Sequence, residues 1–160
     1  MHIIKNKILL ILIFSICAIA SEIGGPPMQS ELTGYWKMIE FPDPKKNKVN
    51  PWPLPNQWYA FYEDGKLNSV MSSNDEKISV KELKETFSTF SKTESPKYEL
   101  KGQFIIVEYP NIKNYKQIWG INIFKKDIGK SFKDGDIVMS LADSKTGAPI
   151  YYRLLRKMIE

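Results

Sequence analysis

Beyond residue 20 the chain is cut into short stretches by turn signals that leave little room between neighbouring elements. Asp64-Gly65, Gly102, Asp134-Gly135 and Thr146-Gly147 each separate two segments of only five to ten residues. Asp-Gly flanked by half-apolar runs is a hairpin signal, because the turn needs backbone conformations that glycine reaches without strain. Connections this short join antiparallel neighbours, so the chain is expected to fold as a meander. The segments are 33–41, 57–62, 67–72, 97–101, 103–109, 115–124, 136–142 and 150–158. One stretch breaks the pattern. Val80, Leu83, Phe87 and Phe90 recur at helical spacing, and Ser79 with Glu82 three residues on matches a capping box. The spacing predicts one helix over 79–91, stopped by Ser95-Pro96. The expected fold is mainly β: an eight-stranded antiparallel up-and-down barrel with one helix inserted after the third strand. Closing the barrel would remove exposed edges.

The segment before this domain reads differently. Lys5 and Lys7 precede an apolar run from Ile8 to Ile16, and Ala18-Ile19-Ala20 offers small residues at a cleavage site. Residues 1–20 are read as a cleaved export signal, and 21–31, with Gly24-Gly25-Pro26-Pro27, as a flexible lead-in to a barrel over 32–158. The run is shorter than the roughly twenty residues a spanning helix needs, so no stable membrane span is expected after cleavage. The product would be periplasmic or extracellular.

Cleavage would remove the only cysteine, Cys17, and the only histidine, His2. Catalysis through Ser-His-Asp or Cys-His, haem held by histidine, and the usual zinc and copper sites then lose their donors. No disulfide could form, so the fold would rest on burial alone. Losing Lys5 and Lys7 lowers the net charge from +5 to +3, and the remaining lysines are dispersed rather than gathered into a stripe. A nucleic-acid partner is not expected from such a surface. Neither a cofactor nor a metal is expected: Asp134-Gly135-Asp136 lacks calcium-loop spacing and reads as a turn. Glu108, at a strand end, is expected in water.

Arginine is scarce. Nineteen lysines follow residue 20 but only two arginines, Arg153 and Arg156, both in the last segment. A guanidinium stacks on rings and forks onto carboxylates as an ammonium does not. Three residues apart in a strand, the two point to opposite faces. If the first and last strands pair, Arg156 would stack across Trp36 at the closed end, with Gly34 leaving room.

Gly34-Tyr35-Trp36 in the first strand, with an arginine near the end of the last, resembles the lipocalin signature. The order of features (Gly-x-Trp strand, proline-rich loop, aromatic hairpin, helix, meander) is similar to that of small bacterial lipocalin-like domains over 32–157. The resemblance implies an eight-stranded calyx with an internal ligand cavity, with Gly34, Trp36 and Arg156 as its structural signature. Taking the phase of Trp36, the cavity lining would be Met38, Trp58, Ala60, Tyr62, Phe104, Ile106, Trp119, Ile121, Tyr152 and Leu154. With the phase reversed, Arg153 would point inward and anchor an acidic ligand head. The expected activity is non-enzymatic binding of a small apolar or amphipathic molecule by a monomer. The alternative is an exported inhibitor-like barrel that holds a protein through the Pro42–Pro55 loop, whose Trp52 would fold over the barrel mouth.

Overall fold

The computed structural model describes residues 24–47, 54–74, 77–90, 94–143 and 145–159. The proposed export signal, Lys48 and Trp52 lie outside the described residues. The elements are β1 (Gly24–Gly25), α1 (Gln29–Leu32), β2 (Gly34–Ile39), a 3-10 turn (Pro44–Lys46), β3 (Asn56–Phe61), β4 (Leu67–Ser72), α2 (Val80–Ser88), β5 (Lys97–Lys101), β6 (Phe104–Glu108), β7 (Lys116–Phe124), β8 (Ile137–Ala142) and β9 (Pro149–Lys157).

Among the described residues, nine antiparallel strands form one curled sheet, a half-barrel, eight of them in the order β4-β3-β2-β9-β8-β7-β6-β5. The ninth, β1, lies off this path and pairs with β7. Eight strands were expected; the addition comes from residues read as a flexible lead-in. A Cβ on Gly24 would sit 2.2 Å from the Ile123 carbonyl oxygen, so only glycine lets the chain lie so close there. The lead-in also holds α1, whose Gln29 side chain donates to the Tyr62 carbonyl oxygen (3.3 Å) and to the Tyr98 hydroxyl.

The ends of the meander come back towards each other. Lys66 and Lys97 form a single bridge, flanked by Leu67 N to Pro96 O (2.9 Å) and Tyr98 N to Gly65 O (2.7 Å). Between these edge strands the chain makes α2, in the place its period predicts. The Ser79 hydroxyl accepts from Glu82 N (3.2 Å) while the Glu82 carboxylate accepts from Ser79 N (2.8 Å). This reciprocal pair satisfies two otherwise orphaned donors at the helix start.

Two apolar clusters follow from strand alternation. The concave face carries the larger one, built on Leu32, Trp36, Tyr59, Phe61, Ile105, Trp119, Ile121, Ile137 and Leu155, among others. The second lies on the outer face, where Leu83 and Phe87 of α2 cover Trp58 and Ala60 of β3. Coverage from both sides explains why five consecutive residues of β3, Gln57–Phe61, are buried. No helix among the described residues is long and apolar enough to cross a membrane.

Candidate functional site

One end of the curled sheet is organised around Trp36. Its indole N–H donates to the Leu32 carbonyl oxygen at 2.7 Å, which ties α1 across the base of the core. The cation over this ring is Lys157, with Nζ 5.4 Å from the centroid and donating to the Glu31 carbonyl oxygen at 3.2 Å. The expected Arg156 stack is therefore corrected. Trp36 pairs with Lys157 and Lys37 with Arg156, so register puts Arg156 on the opposite face from the indole. Gly34 leaves room for Lys157: a Cβ there would approach Lys157 Cε to 3.0 Å, at a backbone φ of +130°. Arg156 instead forks onto Asp136, its Nε and Nη2 donating to the two carboxylate oxygens at 2.9 and 2.7 Å. Asp136, 2% exposed, also accepts from Lys133 N. That carboxylate pair raises the Arg156 pKa further above its ordinary value.

Arg153 faces inward, the reversed phase. It is 4% exposed, and its Nη1 donates to the Tyr59 hydroxyl at 2.5 Å. The guanidinium carbon lies 4.3 Å from the Trp119 ring centroid, 5.6 Å from Tyr59 and 5.8 Å from Tyr151. Three strands, β3, β7 and β9, thus bring the negative faces of three rings around one positive charge. Burial pushes the Tyr59 hydroxyl well above the usual phenol range, and the neighbouring Arg153 charge offsets only part of that. Tyr109 is also raised, chiefly by burial, with Arg153 opposing.

A polar chain continues from the Trp119 side of this enclosure. The Trp119 indole N–H and the Tyr109 hydroxyl both donate to Gln117 Oε1, at 3.3 and 3.1 Å. Gln117 Nε2 donates to the Tyr115 hydroxyl at 2.9 Å, and the Tyr109 and Tyr115 rings lie 5.5 Å apart. Tyr115 is exposed, so the chain runs from the buried interior to solvent.

The other cavity candidates divide by strand. Trp119 and Ile121 lie in the concave cluster, and Met38 packs against it half-buried. Trp58, Ala60 and Tyr62 belong to the outer cluster beneath α2, because Trp36 pairs with Tyr59 and the inward set of β3 is Tyr59 and Phe61. On β6 the inward residues are Ile105 and Val107; Phe104 is 43% exposed and Ile106 half-buried on the outer phase. On β9, Tyr152 stacks on Phe41 with centroids 5.1 Å apart, and Leu154 is buried on the same outer phase. The residues that enclose Arg153, Tyr59 and Tyr151, are immediate neighbours of candidates chosen one position away. Only strand register separates the two sets; the scarcity of arginine marked β9 but not its phase.

Glu108 is exposed and ion-paired with Lys116, which holds its carboxyl below the usual range. Among the described residues no three His, Cys, Asp or Glu side chains cluster as metal ligands would. No family model, no curated protein and no solved structure matches the chain.

Proposed function

We propose that this protein binds a small amphipathic molecule on the concave face of its sheet, the acidic head meeting Arg153 and the apolar body lying along the aromatic lining. The observation that carries the reading is a positive charge held at 4% exposure within three aromatic rings. A charge in such surroundings interacts strongly with an opposite one, because little water screens it. Met38, Leu141 and Tyr109, partly buried around the same cluster, supply apolar surface for the body of the ligand. Each methylene buried there would contribute about 0.8 kcal/mol.

The same reading takes the curled sheet as a lipocalin-like calyx of eight strands closed at the Lys66–Lys97 bridge. The meander order and a cation from the last strand over the Trp36 indole support it. In this reading the chain is exported and works by binding rather than by catalysis.

Titration calorimetry with dodecanoate and dodecanol tests it. A charge-assisted contact is worth about 1.5–3 kcal/mol, so the carboxylate should bind roughly tenfold to a hundredfold more tightly than the alcohol. Arg153→Met should remove that preference while leaving the alcohol's affinity nearly unchanged; Arg153→Lys serves if the methionine variant does not fold. Equal affinities in the wild type, or no binding of either, would overturn the proposal.

A further inference from the structure

The outer face of the sheet holds a cavity that the concave site does not use. It lies between α2 and β2–β4, has a volume of about 610 Å³, and is lined by Tyr35, Tyr62, Asn68, Lys84, Phe87 and Phe90, among others. That volume falls in the range of small-molecule sites. We infer that it is a second, independent ligand site, for an uncharged aromatic compound carrying a ring N–H or O–H.

The walls argue for a flat ring. Tyr35 and Phe87 lie 6.4 Å apart and nearly parallel, at 13°, and Phe90 meets Phe87 edge-on at 5.3 Å. Phe90 is 38% exposed although it belongs to the apolar stripe of the helical segment, so a guest ring would cover surface that the fold leaves in water.

The polar groups argue for a donor. Asn68 is 7% exposed, and its Nδ2 donates to the Tyr62 hydroxyl across a long 3.4 Å. Its Oδ1 is buried and accepts no hydrogen bond among the described residues. A buried acceptor without a donor is costly, and a guest N–H or O–H would remove that cost. The carboxamide sits on a broad terminal torsion, so it can turn to meet the guest. The Tyr62 hydroxyl beside it is raised in pKa by burial and stays a neutral donor.

The rim argues against a charged guest. Glu63, Asp64, Lys66 and Lys84 line the same cavity and cancel in charge, and Asp64 is already paired with Lys66 at 3.0 Å.

Indole and 1-methylindole, titrated into the full protein and followed by amide chemical shifts, decide the matter. Indole should move the amides of α2 and β4, with dodecanoate present or absent. It should bind about threefold to tenfold more tightly than 1-methylindole, the value of one neutral hydrogen bond. Asn68→Leu should abolish that ratio, and Phe90→Ala should weaken both compounds about equally. Shifts confined to the concave face, displacement of indole by dodecanoate, or equal affinity for the two indoles would overturn the inference. If Asn68→Leu does not fold, the wild-type ratio and the dodecanoate competition decide alone. A failure of dodecanoate to bind at all would leave this site untouched.

Discussion

The concave face and the helix-covered outer face are both built on aromatic side chains, yet they use them differently. The inner cluster draws on α1 and on β2 through β9, so each large ring there is held by several strands at once. The outer cluster draws on α2 and the neighbouring residues of β2, β3, β4 and the chain end at Met158. Inside, rings surround a guanidinium, one N–H of which donates to the Tyr59 hydroxyl. Outside, rings flank a carboxamide whose oxygen has no donor among the described residues. The difference follows from how many elements converge. A face enclosed by a whole curled sheet can desolvate and hold a charge, whereas one covered by a single nine-residue helix leaves a gap.

The sharpest way to break this comparison is to hollow out each cluster in turn. Trp36→Ala removes a fully buried indole and its bond to Leu32, and should cost about 4 kcal/mol in urea unfolding. Leu83→Ala, equally buried but on α2, should cost about 3 kcal/mol. Native-state hydrogen exchange should show α2 opening at lower free energy than β7–β9. A larger loss from Leu83→Ala, or equal opening energies, would make the outer cluster an equal part of the cooperative core.

Alkali should act next, and mainly on the interior. Tyr59, Tyr98 and Tyr109 on the concave side, with Tyr62 outside, all have hydroxyls raised above the ordinary value of 10.0, with burial the first cause. Above that value the unfolded chain releases these protons while the folded chain keeps them, so the unfolded state binds fewer. Stability from these groups is therefore complete below about pH 10 and falls as pH rises towards the folded-state values. Urea midpoints measured across that interval should decline, and phenolate absorbance should appear late and rise with unfolding. Phenolate absorbance that develops fully at the ordinary pH with no loss of stability would contradict the buried placement of Tyr59.

The smallest effect should come from the helix cap. Ser79→Ala removes the acceptor for Glu82 N and should cost about 1 kcal/mol, with faster amide exchange in the first turn of α2 and no change near Arg153. A change at Arg153 would mean that the two faces are coupled.

Several parts of this architecture were legible in advance because their physics is local. The capping box at Ser79 and Glu82 and the spacing of Val80, Leu83 and Phe87 placed α2. Gly65, Gly102, Gly135 and Gly147, all at positive φ, marked turns between strands. The facing of the strands was not legible. β3 reads Asn-Gln-Trp-Tyr-Ala-Phe, with large apolar groups on both phases, and alternation cannot say which phase meets the interior. β6 and β9 share the ambiguity, which is why Trp58, Phe104 and Tyr152 were expected inside and are found outside. The scarcity of arginine pointed to β9 without saying which of its two arginines turned inward.

By itself the sequence determined that the chain forms an antiparallel meander with one capped helix, because turns, caps and periods depend on residues within a few positions of one another. Tertiary structure alone decided that Lys157 rather than Arg156 lies over Trp36, and that Arg153 is enclosed by Tyr59, Trp119 and Tyr151. Those partners are set by strand register, in which a one-residue slip reverses every side chain. Register is settled by packing the whole sheet at once.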